Sequence, residues 1–161
     1  MPVTADITAT YRGPRQVMAR LLDAGRREDR ALMFLMVFCA VAFVAQLPAL
    51  ARRAHLEGSD LNMLMGGALM GAIFMLPLVL YILAALSHLV ARAFGGRGDW
   101  YSARLALFWS LLATAPLLLL HGLVAGFIGP GPALQLVGAL WLGVFLWFWI
   151  SCLRLAEGTR E

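Results

Sequence analysis

Lysine is absent from this 161-residue sequence, acidic residues number nine, and charged residues of all kinds make up 14%. Soluble domains carry about 25% charge and roughly 45–50% apolar residues. With 61% hydrophobic residues and a mean hydropathy of +0.80, the chain holds more apolar surface than a 17.5 kDa globule could bury. That excludes a single soluble domain, a water-soluble enzyme and a disordered segment. Two cysteines are too few for a disulfide scaffold. The first 30 residues lack any uninterrupted apolar stretch, so no secretory signal peptide is expected and the N-terminus should stay in the mature protein.

What is present is arginine and long apolar runs. All 13 basic residues are arginine, which together with abundant Ala, Gly and Leu points to a GC-rich bacterial gene. The arginines flank the apolar runs instead of forming one stripe, so membrane orientation accounts for them and no nucleic-acid partner is expected. Residues 31–50 form a first run, long enough to cross a ~30 Å hydrocarbon core at ~1.5 Å per residue. The second, 61–91, is too long for one straight crossing and too short for two; it must tilt, kink or project, and Pro77 is the candidate kink. The third, 105–127, carries Pro116, and the fourth, 133–153, follows the turn signal Gly-Pro-Gly-Pro at 129–132.

These spans divide the chain into a cytoplasmic N-terminal segment 1–30, a four-helix transmembrane domain 31–153 and a cytoplasmic tail 154–161. Six arginines precede residue 31, three lie in the 92–104 loop and two in the tail, against Arg52 and Arg53 alone on the other side. Basic residues are retained in the cytoplasm, so both termini and the middle loop are expected there, in a bacterial inner membrane. Trp100, Tyr101, Trp147 and Trp149 are the expected interfacial anchors, because their rings combine an apolar body with a polar edge. His88 and Arg92 should emerge with the last turns of the second run into the same interface.

Within the N-terminal segment, Gly13-Pro14 starts a helix over about 14–27. Val17, Met18, Leu21 and Leu22 fall on one face at 100° per residue, and Arg15, Arg20, Arg26 and Arg27 on the other. Two placements fit such a helix: flat in the headgroup region, or with its apolar stripe packed on the protein's own spans. In the first, Arg12, Arg15, Arg20, Arg26 and Arg27 with Arg92 and Arg97 of the loop form a surface for anionic lipid or an acidic partner.

Candidate chemistry is sparse. His88 and His121 lie near opposite sides and His55 in the outer loop, so the three histidines cannot share a metal, and no metal or cofactor site is expected. Cys39 and Cys152 differ in depth and read as small apolar fillers. No acidic residue is expected inside a span, and Gly-Gly-Arg-Gly-Asp-Trp at 95–100 reads as a turn. Gln46, Asn62, His121 and Gln135 come to similar depth near the outer side, where they could hydrogen-bond between helices or line a small vestibule. Gly67/Gly71 and Gly122/Gly126 permit close backbone approach between spans or protomers.

Taken together, GPRQVMARLL before the first span, LAALSHLVARAFGGRGDWYSARLALFWSLLATAP at 83–116 and the apolar hairpin after it resemble a bacterial member of the Yip1 domain family. In that family a long span ends in a basic, glycine-containing cytoplasmic loop, here Arg92, Gly95, Gly96 and Arg97, and the next span carries a central proline, here Pro116. Family members ordinarily have five spans, one more than counted here. The resemblance implies a membrane scaffold. Eukaryotic relatives act in vesicle traffic with small prenylated GTPases, but their acidic Tyr-Gly-Pro signature is absent, so no GTPase site carries over, and the family offers no catalytic residues to transfer. The expectation is an all-α membrane protein of four transmembrane helices with an N-terminal interfacial amphipathic helix. Its expected role is a non-enzymatic scaffold or accessory subunit that binds lipid, another membrane protein or a second copy of itself. The alternative is a small transporter or channel subunit.

Overall fold

In the computed structural model, which describes residues 2–158, every regular element is helical. Helix α1 spans Val3–Arg12, α2 Pro14–Asp23, α3 Glu28–Glu57, α4 Leu61–Met70, α5 Leu76–Ala93, α6 Trp100–Ala113, α7 Ala115–Phe127 and α8 Pro132–Glu157. The π turn Gly71–Met75 joins α4 and α5 into one helix, Leu61–Ala93. The last three residues of the expected 154–161 tail lie outside the described residues.

Among the described residues three helices are long and apolar enough to cross a membrane: Glu28–Glu57, Leu61–Ala93 and Pro132–Glu157. The expected third span, 105–127, is instead a pair, α6 and α7, bent by 47° at Thr114. At 14 residues, or about 21 Å, α6 alone is shorter than a hydrocarbon core. Contacts at the two ends show that the pair together runs the length of α3, which makes it a candidate fourth crossing. At one end, Arg30 at the start of α3 donates to the Tyr101 hydroxyl at 3.2 Å, and Glu157 at the end of α8 accepts the Gly98 N–H at 3.1 Å. At the other, Arg52 donates to the Gly126 carbonyl at 3.3 Å, joining the far parts of α3 and α7. The starts of α3 and α6 and the ends of α5 and α8 therefore share one end of this multi-pass membrane protein, called here the loop end.

The two prolines sit in different local structures. Pro77 lacks an N–H, and its ring would strike the carbonyl of Ile73; the π turn over 71–75 widens the helix at that point, so the long helix continues. Pro116 sits in the first turn of α7, where the missing N–H is harmless, and the chain breaks before it. The carbonyls that the break leaves without a helical donor at the α6 terminus find others: Thr114 Oγ1 donates to Leu111 at 3.0 Å, and the Tyr11 hydroxyl donates to Ala113 at 3.0 Å.

Helix α6 is the centre of the molecule. All its residues except Trp100 and Arg104 are buried, enclosed by α3, α5, α8 and the N-terminal helices. Phe34 of α3 packs on Trp109 with ring centroids 5.0 Å apart, and Tyr81 of α5 meets Phe108 edge-on at 5.1 Å. The most extensive helix pairing joins α3 and α7.

The N-terminal segment differs most from expectation. The amphipathic helix ends at Asp23, not at residue 27, and α1 precedes it as a second helix. Of the two placements open to its apolar face, α2 takes the second: Val17 and Met18 are fully buried within the protein, against α8. Helix α1 turns the same way. Thr10 is buried and accepts a hydrogen bond from Trp109 Nε1 at 3.2 Å, while Tyr11 meets Phe148 edge-on at 5.0 Å. Asp6 pairs with Arg20 at 3.0 Å, closing α1 and α2 into a hairpin whose tip reaches the bend between α6 and α7.

Candidate functional site

The loop end gathers most of the polar chemistry in the molecule. Helix α5 ends in a Schellman-type turn: Gly95 adopts φ +89°, and the Gly96 N–H bonds to the Ala91 carbonyl at 2.9 Å. The loop then runs directly against the end of α8. The Arg97 N–H donates to the Glu157 carbonyl at 3.0 Å, and the Gly98 N–H to Glu157 Oε2 at 3.1 Å. A Cβ on Gly98 would lie 2.4 Å from the Ala156 carbonyl oxygen, so only glycine allows this approach. Ser102 Oγ accepts the Asp99 N–H at 3.0 Å, capping α6 as the loop leaves α8.

The second Glu157 oxygen lies 2.6 Å from His88 Nδ1. Both side chains are nearly inaccessible, 2% and 6% exposed, and the Trp100 ring covers the imidazole with centroids 4.4 Å apart. The pair is a hydrogen bond with a neutral imidazole donating, or an ion pair when the imidazole is protonated. A buried carboxylate of this kind is stable only with its lone pairs matched, and the imidazole and the Gly98 amide match them. His88 is thus a bundle-facing histidine with a hydrogen-bond partner at the loop end. Helix α8 continues three residues past Arg154 and brings a buried acid, Glu157, out of the stretch that reads as tail. One expectation is corrected here: residues 95–100 are more than a turn, since their glycines and backbone form the clasp.

The remaining candidate residues scatter. Trp100 is half exposed at the loop end, but Tyr101 is buried between Arg30 and the Arg27 carbonyl, so it serves as an internal tie in place of a surface anchor. Trp147 faces outward, whereas Trp149 stacks on Phe145, which stacks in turn on Trp141. The four expected polar partners do not converge. Gln46 bonds to the Ala42 carbonyl of its own helix, Asn62 lies in the exposed first turn of α4, Gln135 is exposed and His121 borders Gly138. Among the described residues no hydrogen bond joins any two of them.

The arginines divide into two sets. Arg20 pairs with Asp6, Arg27 with Asp29 at 3.9 Å and Arg26 with Asp99, whose hydrogen bond and charge hold the Arg26 guanidinium above its ordinary value. Arg12, Arg15, Arg92 and Arg97 are exposed and have no ion-pair partner among the described residues. Arg30 is the basic residue that sequence reasoning passed over. It donates to the Leu21 and Gly25 carbonyls as well as to Tyr101, closing the C-terminus of α2 onto α3 and α6.

The clasp separates two depressions. One, of about 710 Å³, is lined by polar groups including Asp23, Arg26, Arg97 and Asp99. The other, of about 860 Å³, is an apolar groove between α5 and α8.

The Yip1 domain model matches residues 9–158, from the end of α1 to the end of the described chain. The chain belongs to the Yip1 domain family. No match to a curated protein or to a solved structure was found. The Yip1 domain here therefore includes the hairpin tip, all the crossings and the Glu157 clasp as one matched unit.

Proposed function

We propose that this Yip1 domain is a non-enzymatic scaffold or accessory subunit of the bacterial inner membrane, binding lipid or another membrane protein through a loop end that faces the cytoplasm. The observation that carries the reading is the division of the arginines. The hairpin and loop have internal partners for Arg20, Arg26 and Arg30, yet Arg92 and Arg97 at the loop end, and Arg12 and Arg15 at the hairpin tip, are exposed with no ion-pair partner among the described residues. Near an anionic leaflet each such charge contributes about 1 kcal/mol of attraction. Since α2 already buries its apolar face in the protein, the hairpin acts as a rigid mount for these charges and not as a separate membrane anchor.

The test is purification in mild detergent followed by native mass spectrometry. The reading expects bound lipid, a co-purifying membrane protein or an oligomer; a bare monomer would contradict it. The orientation is tested by cysteine labelling in a cysteine-free background: residue 57 should react with an impermeant reagent added outside, and residue 98 should not. One feature favours a transporter or channel subunit instead, the crossing broken at Thr114. Flux into proteoliposomes that is lost on changing His121 would support that second reading.

A further inference from the structure

The groove between α5 and α8 has the character of an amphiphile site. Its walls are Leu83, Leu86 and Val90 on one side and Trp149, Ile150 and Leu153 on the other. Leu86, Val90 and Ile150 are about half exposed, so the groove opens sideways towards lipid. It forms because α5 and α8 touch only weakly while both pack on α6. At the loop end it is bordered by Gly95, Gly96, Arg154 and Glu157, with Phe94 standing 90% exposed at its mouth.

The charges at this mouth are unequal in availability. Glu157 is buried, with its two oxygens held by His88 and Gly98. The Gly96 amide is held by Ala91. Arg154 is exposed, and among the described residues it has neither an ion-pair nor a hydrogen-bond partner. An apolar slot ending at an exposed guanidinium with no partner among the described residues matches a molecule with an alkyl chain and an anionic head.

The geometry points to a binding site for an anionic phospholipid, with one acyl chain lying between α5 and α8 and its phosphate on Arg154. This deepens the reading of the protein as a lipid-binding scaffold and rests on it, while placing the contact at a defined groove away from the N-terminal hairpin. Phe94 packs beside the upper acyl chain, and Trp149 forms part of the floor.

The experiment is native mass spectrometry of the full chain with equimolar phosphatidylglycerol and phosphatidylcholine, in detergent and in nanodiscs. Phosphatidylcholine has the same phosphate, but its choline cation offsets the attraction to Arg154, and one net charge near the surface corresponds to about a fivefold preference for the anionic lipid. Arg154→Gln should bring that preference to about even. Leu86→Trp with Ile150→Trp, both at exposed positions, should fill the groove and remove the lipid adduct while the protein stays monodisperse by gel filtration. Arg53→Gln, at the far end of α3 from the groove, should leave the preference unchanged, and Arg12→Gln with Arg15→Gln, which removes outward charges of the hairpin, should leave the Arg154-dependent part of it in place. A preference insensitive to Arg154 and to groove filling, but lost with Arg12 and Arg15, overturns the groove site and leaves the broader reading standing. Equal binding of both lipids by the unaltered protein overturns the anionic site itself. If no partner or oligomer co-purifies and no lipid is retained either, the broader reading falls with it.

Discussion

Gly122 and Gly126 on α7 face α3 so closely that an added Cβ would lie 1.9 Å from the Ala45 carbonyl oxygen and 2.3 Å from Pro48 Cβ. Gly67 and Gly71, with the same spacing on the second membrane-crossing helix, have nothing within 4 Å. The two pairs are indistinguishable as sequence. What separates them is the opposing surface. Helix α3 presents Ala45 and Pro48, small or flat residues with the backbone near at hand, whereas a Cβ added at Gly67 or Gly71 meets none of the described residues within 4 Å. Between helices in lipid there is no hydrophobic driving force, so contact depends on close van der Waals approach and on hydrogen bonds. The α3–α7 seam uses both, since Arg52 bonds to the Gly126 carbonyl at its far end. The difference teaches that a small-residue repeat permits a seam, but the partner surface decides whether one forms.

Gly122→Leu breaks this comparison most severely. The side chain would have to displace α3 backbone, so the cost exceeds the about 1–3 kcal/mol usual for overpacking. Loss of the monodisperse peak after extraction, read by fluorescence-detected gel filtration, is the expected result. The comparison extends to the clasp, where Gly98 is equally crowded. Glu157→Ala leaves a buried imidazole without its partner and should cost about 3 kcal/mol, with a clear fall in the thermal-aggregation midpoint. Glu157→Gln keeps an acceptor for the Gly98 amide and should lose less. A smaller effect is expected at the hairpin: Trp109→Phe removes the hydrogen bond to Thr10 and should cost about 1 kcal/mol, read as faster proteolysis of the N-terminal helices. At the bottom of the scale, Gly67→Leu should change stability by less than about 0.5 kcal/mol, because its side chain enters open space. A large loss at Gly67 would mean that a partner covers it.

The parts of this arrangement legible in the sequence are those set by long apolar runs and by chain-breaking residues. The runs beginning near residues 31, 61 and 133 became helices, Gly129 and Gly131 with their prolines separated α7 from α8, and Pro116 ended a helical segment. Insertion and helix interruption are decided locally, so local pattern reveals them. The fate of α1 was not legible. Its sequence VTADITATYR has a mixed polarity, and only packing of Thr10 on Trp109 and of Tyr11 on Phe148 gives it a buried face. Glu157 was hidden for a similar reason. Past Arg154 it reads as solvated tail, and its partner His88 stands 69 residues away. One clue was available: tail and 92–104 loop fall on the same side, where a lone carboxylate and a lone histidine can meet. Tyr101 has the composition of a surface anchor, but Arg30 and the start of α3 cover it.

The central claim is that the N-terminal hairpin is docked into the bundle, leaving its free arginines as a fixed outward surface. The native Cys152 thiol, 3.8 Å from the Pro14 carbonyl, offers a direct probe. Pro14→Cys in a Cys39→Ala background would be oxidised in native membranes with copper phenanthroline and read by mass spectrometry after cysteine alkylation. The account predicts an intramolecular disulfide between positions 14 and 152 in most of the protein. Full alkylation of the thiol introduced at position 14, with no cross-link to Cys152, would show the hairpin lying away from α8 and would contradict it.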